Sequence, residues 1–420
     1  MSFYKRLQPW LIWFLSAAFF FCEYFARVDA GAMLDQLSAA LNATSGELGQ
    51  LGAFFYYPYI VMQIPVGLLV DQHGPRRWLS GAALVSSIGA MVFAFSTHLY
   101  AAKCGRFLIG FGASFAFVST IKLATIWFDK RKWGLLAGLT QGAGMLGAAL
   151  GAGGFAFLVQ WLTWRYAMAC VALVLLVFAV LIAFFVRDQR KGVRSYGTNE
   201  TSAALSIPQS LKCILRSRQS WANALYAGFL YAPTAALGEF WGMTFFHHVY
   251  AIPRVDAGFM MSAIFIGWAM GGPIVGWLSD RIKNRKKLMM LSAMMSLFIL
   301  LFVISGPKLP ESVMFFLMLC YGISNTGVAL AYAVAGESHS SSLVGMSVAF
   351  TNMVSILIGA VLQPLMGIML DSFWQGATLH HIRLYPRGAY HDVLLLLPAS
   401  LLLAFISLLF VKESYSKSKK

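Results

Sequence analysis

Charged residues are scarce in this chain, and their scarcity excludes most soluble folds. Only 11% of the 420 residues are charged, whereas 59% are hydrophobic and the mean hydropathy is +0.70. Ordinary soluble domains carry about 25% charged residues. The sequence also lacks the period-two alternation expected of a transmembrane β-barrel. Its repeated apolar runs of about 20 residues instead predict a polytopic helical membrane protein.

Cysteine, metal-binding and catalytic patterns are equally sparse. Four of the five cysteines fall in predicted helices and Cys213 lies in an inside linker, so no outside pair could form a disulfide. The eight histidines show no metal-ligand spacing, and there is no Walker loop or pair of nucleophile and base. We therefore expect no enzymatic activity, no metal and no cofactor.

The apolar runs predict twelve membrane spans with both chain ends on the inside. The first run lacks a signal-peptide cleavage site and is expected to be retained. The spans, numbered 1 to 12, are predicted at residues 10–37, 48–70, 78–97, 99–121, 134–159, 165–186, 221–246, 256–279, 288–305, 313–337, 344–370 and 393–410.

Basic residues indicate how these spans are oriented. Of the 32 Lys and Arg residues, 24 lie in predicted inside segments, six in outside loops or at the outside ends of spans, and two deeper within the membrane. This bias predicts cytoplasmic termini in a bacterial-type inner membrane. The net charge of +16 therefore reflects topology and affinity for anionic lipid, and it does not indicate a nucleic-acid partner.

A polar linker, residues 187–220, divides the spans into two sets of six. We expect an N-terminal bundle at 1–186 and a C-terminal bundle at 221–420. One motif recurs 209 residues apart, after spans 2 and 8: GLLVDQHGPRR begins at Gly67, and GWLSDRIKNRK begins at Gly276. The two halves are therefore expected to be related by an internal repeat.

The repeated motif is interpreted as a conformational latch between helices. Its glycines permit close helix approach, its aspartates suit a helix N-terminus, and its basic pairs can bind a carboxylate or lipid phosphate. The alternative is that any inside loop is basic. The candidate latch residues are Gly67, Asp71, Gly74, Arg76, Arg77, Gly276, Asp280 and Arg285.

The first copy of the motif resembles the loop between helices 2 and 3 of the major facilitator superfamily. Similar supporting marks are Arg106 with Gly110 in span 4 and Gln363-Pro364 with Asp371 in span 11. The resemblance implies an all-α fold of twelve transmembrane helices in two pseudo-symmetric six-helix bundles. It also implies a central site, lined by helices 1, 4, 7 and 10, that opens alternately to the two sides. Span 5 lacks the Gly-Pro element of drug and proton antiporters, which disfavours multidrug efflux.

Span 1 carries three charged residues inside its apolar run. A charge near the bilayer centre costs about 2.5–3.5 kcal/mol, so Glu23, Arg27 and Asp29 need a polar environment. Glu23 and Arg27 share one helix face, and the rise per residue brings Arg27, Asp29 and Arg106 to a similar depth. We interpret these residues as a polar stripe that faces a cavity.

Arg27 resembles a helix 1 arginine of the anion:cation symporter and organophosphate branches, where it binds a carboxylate or phosphate. A second arginine of the phosphate exchangers is replaced in the region of Tyr231 to Thr234, which favours a substrate with one anionic group. The resemblance thus implies substrate contacts for Arg27 and Arg106. The structural alternative is that Arg27 neutralises Glu23 and that Arg106 holds Asp29.

Other polar residues of the predicted cavity are candidate proton carriers or substrate contacts. A buried carboxyl group near an arginine can exchange a proton when its surroundings change, which suggests Glu23, Asp29 and Glu239. For Glu239, a fixed hydrogen bond to Trp241 or to a tyrosine is an alternative. The further candidate substrate contacts are Tyr56, Gln141, Thr234, Tyr321, Asn325 and Asn352, and packing is the alternative role of Tyr56.

These patterns predict a proton-coupled secondary transporter for a small organic anion of the carboxylate type, functional as a monomer. Two alternatives stay open. One is an exporter of amphiphilic drugs or of polycarboxylate, siderophore-like metal chelators, which would use the same cavity in the other direction. The other is a non-transporting membrane receptor or sensor.

Overall fold

Helices make up nearly all of the part of the chain that the computed structural model describes, residues 3–188, 207–307, 309–340, 343–379 and 382–414. Short irregular turns interrupt some of the predicted spans. A 3-10 turn at Asp29–Met33 breaks span 1, and π-helical turns at Leu150–Gly154 and Thr234–Trp241 lie within spans 5 and 7. The α-helices are α1 Phe3–Val28, α2 Leu34–Leu41, α3 Ser45–His73, α4 Pro75–Ala94, α5 Leu99–Trp127, α6 Trp133–Ala149, α7 Phe155–Trp161, α8 Trp164–Phe185, α9 Ile207–Arg216, α10 Arg218–Pro233, α11 Gly242–Tyr250, α12 Arg254–Ile282, α13 Arg285–Ser305, α14 Glu311–Asn325, α15 Val328–Glu337, α16 Val344–Ser372, α17 Arg387–Leu394 and α18 Leu396–Leu409, and a small antiparallel hairpin pairs β1 Thr378–Leu379 with β2 Ile382–Arg383.

Eleven helical segments within the described residues are long and apolar enough to cross a membrane. The remaining predicted span, span 7, is helical from Arg218 to Tyr250. Buried Asn223, Thr234 and Glu239 make it more polar than its counterparts. The prediction of an all-α polytopic membrane protein is confirmed, and the crossing of the membrane by span 7 stays a prediction.

The fold divides into two compact units. The described residues of Met1–Gln36 and Phe54–Thr201 form unit 1, and those of Leu37–Ala53 and Ser202–Lys420 form unit 2. The end of span 1 and the start of α3 therefore pack with the second unit. The domain boundaries expected near residues 186 and 221 stay predictions, and residues 189–206 lie outside the described part of the chain.

Reciprocal arginine caps join α4 and α8 in unit 1. The last carbonyl groups of a helix lack partners within it, and basic side chains can satisfy them. Arg76 at the start of α4 donates to the Ala183 carbonyl near the end of α8, with an Nε–O distance of 3.0 Å. Arg165 at the start of α8 donates to the carbonyl groups of Ala94 and Ser96 at 2.9 and 2.6 Å. Each helix thus has its C-terminus held by an arginine of the other.

Glycines bring the charged helices of unit 1 close together. A Cβ atom at Gly110 of α5 would overlap the carbonyl oxygen of Phe55 in α3. A Cβ atom at Gly147 of α6 would overlap the carbonyl oxygen of Phe21 in α1. In a membrane bundle such small residues allow the backbones to pack directly. These contacts position α1, α3 and α5, which carry the charged and aromatic residues described below.

Unit 2 packs α12 against α14, and α10 against α16 and α18. The start of α3 lies directly on α16. A Cβ atom at Gly49 would come within 2.6 Å of the Gln363 carbonyl oxygen and of the Pro364 Cα atom, and one at Gly367 would overlap the Ser45 carbonyl oxygen. Residues 37–53 therefore belong to unit 2 through close backbone contact.

Candidate functional site

The Arg106 side chain binds the backbone where a 3-10 turn interrupts span 1. The change from α1 to a 3-10 turn at Asp29 alters the bonding of the last helical carbonyl groups. From α5, Arg106 donates through Nη1 to the Ala26 carbonyl at 2.6 Å and to Asp29 Oδ1 at 3.1 Å, and through Nη2 to the Arg27 carbonyl at 3.0 Å. Arg106 and Asp29 are fully buried. This geometry supports the structural interpretation of Arg106.

Arg27 lies in an enclosure of four aromatic rings, named here the aromatic pocket. Its guanidinium carbon is 4.6, 5.4, 5.5 and 5.1 Å from the ring centroids of Tyr24, Phe55, Tyr56 and Tyr59. Arg27 is only 4% exposed. Ring faces attract a cation, and each contact is worth about 0.5–2 kcal/mol depending on desolvation. The pocket therefore holds the charge of Arg27 in place within the protein interior.

The sequence analysis names Tyr56 as a candidate, and it does not predict that Tyr24 and Phe55 lie beside Arg27. Tyr24 precedes Arg27 by three residues and Tyr59 follows Tyr56 by three, a spacing that places side chains on one helix face. That spacing could have identified the pair on each helix. The approach of α3 to α1 depends on tertiary packing, so the complete pocket could not be predicted.

Glu23 lies one helical turn before Arg27 and is 2% exposed. Neither of its carboxylate oxygens has a hydrogen-bond partner among the residues described in the structure. Arg27 and Asp29 act on it electrostatically, and the nearby Ser86 hydroxyl is directed to the Ile109 carbonyl at 3.4 Å. A buried carboxyl group in such surroundings is a suitable place to bind and release a proton.

Three predicted substrate contacts of unit 2 form one neutral network. Thr234 begins the π-helical turn of span 7 and donates to Asn325 Oδ1 at 3.0 Å, while its hydroxyl lies 3.1 Å from the Tyr321 hydroxyl. The Asn325 amide donates to the Leu230 carbonyl at 2.8 Å. All of these side chains are buried. The structure thus brings Thr234, Tyr321 and Asn325 together, and the network also satisfies a carbonyl beside the irregular turn.

Glu239 lies in the same π-helical turn and accepts a hydrogen bond from Tyr231, with an oxygen–oxygen distance of 2.6 Å. This is the fixed bond to a tyrosine that was considered as the alternative to proton coupling. Trp241 bonds elsewhere, donating to the Gln363 carbonyl at 3.0 Å. Among the predicted proton carriers, Glu239 is therefore tied to a neutral donor, whereas Glu23 lies beside Arg27.

The other two predicted amide contacts belong to different units. Asn352 on α16 accepts from the Tyr332 hydroxyl at 2.9 Å. Gln141 lies on α6 and is half-buried. Its neighbour Thr140 accepts a hydrogen bond from Trp13 at 3.1 Å. The substrate role of Gln141 and Asn352 stays a prediction.

The first latch motif is built into unit 1. Gly74 has a φ of +83°, and a Cβ atom there would lie 2.6 Å from Asp188 Oδ2, so glycine is required. Asp188 accepts from the Arg76 amide at 2.7 Å, which suits a carboxylate at the start of α4. Asp71 pairs with Lys122 of α5 at 2.6 Å, and Arg77 is exposed.

The second latch motif forms an ionic cluster in unit 2. Arg285 pairs with Asp280 and with Glu337 of α15, both at 3.0 Å. One part of the sequence interpretation is corrected. A Cβ atom at Gly67 or Gly276 would meet no atom within 4 Å, so neither glycine is needed for close helix packing in this structure.

Asp371 holds the start of α3, a role that the sequence reasoning missed. Its carboxylate accepts from the amides of Ser45 and Gly46 at 3.2 and 2.7 Å and from the Tyr385 hydroxyl at 2.7 Å. A carboxylate at a helix N-terminus satisfies its first amides and its partial positive charge. The contact joins residues 37–53 to α16.

Comparison with known proteins agrees with this architecture. The sequence profile of the Major Facilitator Superfamily matches residues 12–364. The chain is 28% identical over 291 residues to the uncharacterized transporter YybO of Bacillus subtilis, 27% over 169 residues to the probable sulfoacetate transporter SauU of Cupriavidus necator, and 23% over 274 residues to the membrane sensor protein UhpC of Salmonella typhimurium. These alignments cover 64%, 40% and 62% of this chain and 65%, 39% and 62% of the relatives, so the chain spans less than two thirds of each relative's length.

Solved structures share the fold. A bacterial homolog of the human lysosomal transporter Spinster has a TM-score of 0.79 at 14% identity, covering 100% of this chain and 98% of its own. The nucleoside transporter NupG has a TM-score of 0.76 at 14% identity, covering 96% of this chain and all of its own. Identities this low show the fold alone. Because the family profile spans most of the sequence and the fold agrees, this chain belongs to the major facilitator superfamily.

Proposed function

We propose that this protein is a secondary active transporter that moves a small organic monoanion together with a proton. It would act as a monomer in a bacterial inner membrane, with both termini in the cytoplasm, and would need no cofactor. The substrate would carry one carboxylate-type group. Alternating access would follow from the two-bundle fold of its family.

The charge balance of the span 1 cluster carries this proposal. With Glu23 and Asp29 ionised, their charges cancel those of Arg27 and Arg106. A proton on Glu23 leaves one net positive charge in a buried region, and a monoanion near Arg27 restores neutrality. Because an unbalanced charge is costly in a buried site, proton and anion would bind together.

Arg27 suits the role of anion ligand. Cation–π contacts hold a guanidinium through its charge, whereas a carboxylate binds the in-plane N–H groups of its fork. The aromatic pocket could therefore orient Arg27 and still allow an anion to exchange. Relatives named for sulfoacetate, hexose phosphate or nitrate transport support anions as a class.

Uptake into proteoliposomes tests the proposal. Labelled carboxylates, sulfonates and sugar phosphates would be offered with and without an imposed pH gradient. We expect a small carboxylate to accumulate only with the gradient, and Glu23→Gln to exchange substrate without accumulating it. Transport restricted to sugar phosphates would overturn the substrate class. Accumulation that is indifferent to the gradient would overturn the coupling.

A sensor that binds the same anion without transporting it is the second candidate, because one relative is named a membrane sensor protein. Binding and uptake would be measured on the same preparation. Saturable binding of a carboxylate with no uptake, in vesicles where a control transporter is active, would favour the sensor.

A further inference from the structure

A surface of unit 2 beside the start of span 7 combines basic and apolar side chains. We propose that this surface docks onto anionic phospholipid of the inner leaflet. It is named the α9 surface and comprises Lys212, Cys213, Leu215, Arg216, Arg218 and Trp221, all of them exposed. The inference goes beyond transport and does not depend on the identity of the substrate.

Helix α9 presents two different faces. Ile214 is fully buried and belongs to a cluster with Phe350 and Val354 of α16. Lys212 and Arg216 are four residues apart, share one side of the helix and are exposed. The helix is thus anchored to the protein by one face, and its opposite face is basic. This division is typical of helices that lie in a membrane interface.

Apolar side chains flank the basic face. Leu215 is 43% exposed and Trp221 is 40% exposed. The Trp221 indole donates to the Leu215 carbonyl at 2.9 Å, which fixes the ring beside the end of α9. A tryptophan with its polar edge bonded and its ring exposed suits the boundary between lipid headgroups and acyl chains. Neither water nor hydrocarbon alone would suit both the basic and the apolar groups.

Chain continuity places this surface at headgroup depth. α9 ends at Arg216 and α10 begins at Arg218, so a single residue separates α9 from span 7. The N-terminal end of span 7 is on the inside in the predicted topology. Anionic lipid on that side attracts basic residues that lie near the membrane surface.

Charge complementarity favours anionic lipid as the occupant of this surface, because Lys212 and Arg216 attract negative charge. Anionic headgroups provide the complementary charge, and they are present wherever the protein is embedded.

Cys213 provides a probe in the centre of the surface. In the full-length chain with the other four cysteines changed to alanine, Cys213 would carry an environment-sensitive fluorophore. The protein would be placed in vesicles of phosphatidylcholine with phosphatidylglycerol, one lipid at a time being brominated. We expect stronger quenching by brominated phosphatidylglycerol, weakened by salt. The double variant Lys212→Gln with Arg216→Gln should lower this preference roughly tenfold, since each basic residue adds attraction to anionic lipid.

The matched control is Lys283→Gln with Lys287→Gln, which removes two exposed charges elsewhere and should keep the preference. Equal quenching by the two lipids, or a preference unchanged in the Lys212 and Arg216 double variant, would overturn the proposal. The proposal would also be overturned if an added cytosolic protein shielded the fluorophore while the quenching showed no preference between the two lipids.

A second measurement avoids the cysteine substitutions. Phosphatidylglycerol added to the otherwise unchanged protein in detergent should raise its unfolding temperature more than phosphatidylcholine does. The Lys283 and Lys287 double variant should keep this difference, and the Lys212 and Arg216 double variant should lose it. No difference between the lipids for the unchanged protein would contradict the proposal.

Discussion

The two halves of the chain interrupt their first membrane helix at matching positions, but they stabilise the interruption differently. The 209-residue offset carries Asp29–Met33 to residues 238–242, which overlap the π-helical turn Thr234–Trp241. In unit 1 the charged Arg106 bonds to the carbonyl groups at the break. In unit 2 the neutral Asn325 bonds to Thr234 and to the Leu230 carbonyl.

The comparison of the two breaks distinguishes two roles of Arg106, hydrogen bonding to backbone carbonyl groups and balancing the charge of Asp29. Unit 2 shows that an irregular turn can be satisfied by amide and hydroxyl groups, which avoid the desolvation of a charge. Arg106 is therefore more than a backbone ligand, because its charge also balances Asp29. With that pair formed, the proposed binding of a proton and an anion would change the charge balance of Arg27 and Glu23.

The largest expected effect comes from removing the charge at the break of unit 1. Arg106→Gln would leave Asp29 as a buried carboxylate without its cation. We expect a loss of about 3–5 kcal/mol in the free energy of unfolding. Thermal unfolding in detergent would measure it, and the added substitution Asp29→Asn should restore part of the loss. An unchanged unfolding temperature for Arg106→Gln would show that the break in unit 1, like the break in unit 2, does not depend on a buried charge.

Arg27→Lys tests whether the other arginine of unit 1 serves the substrate. Lysine keeps the charge but loses the planar fork, and hydrogen bonds to charged groups contribute about 1.5–3 kcal/mol. We expect roughly a ten- to hundredfold loss of substrate affinity with little change in unfolding temperature. The control Arg131→Lys makes the same replacement at an exposed position. Normal affinity for Arg27→Lys would return Arg27 to a structural role.

Asn325→Leu applies the same test to the neutral break of unit 2. It removes the bonds to Thr234 and to the Leu230 carbonyl, and we expect a loss of about 1–3 kcal/mol. Unfolding would be measured beside Arg106→Gln under the same conditions. A loss as large as that of Arg106→Gln would remove the distinction between a charged and a neutral break.

The smallest expected effect concerns pH at the inner end of unit 2. His339 lies 2.8 Å from the Ser220 hydroxyl, and burial lowers the pKa of its imidazole. A pKa that is lower in the folded than in the unfolded state stabilises the protein above the ordinary value near 6.5, and that contribution is lost as the pH falls. The matching position of unit 1 holds Lys130, so the two halves of the sequence differ there.

Hydrogen exchange between pH 7.5 and 5.5 would measure this effect. We expect α10 and α15 to lose some protection on acidification and His339→Gln to remove the change. An equal response in the variant would assign the effect to other groups.

Apolar periodicity and length predict eleven helices that the described residues show as long and apolar enough to cross a membrane, because hydrocarbon tolerates few charges and requires satisfied backbone groups. The common depth of Asp29 and Arg106 followed from the helical rise, and their ion pair agrees with it. The irregular turns of spans 1, 5 and 7 could not be predicted, because they depend on hydrogen bonds from other helices.

The aromatic pocket and the Asp371 contact join residues that are far apart in sequence, so local sequence patterns do not predict them. Thr44 and Glu47 form a readable capping box, with hydrogen bonds of 2.9 and 3.2 Å to each other's amides. Nothing near them in sequence indicates that Asp371 would bind the next two amides. Contacts between residues more than 300 positions apart are set by tertiary packing, so the sequence suggested the residues without their partners.

The placement of residues 37–53 in unit 2 has a consequence for any attempt to split the gene. A fragment that ends at residue 188 would contain α3 without Asp371 and without the α16 backbone that covers Gly49. A fragment that begins at residue 207 would lack the helix end that Asp371 caps. Expressed separately, each fragment would lack contacts that the other supplies. Function from two separately translated fragments would therefore require them to associate during membrane insertion.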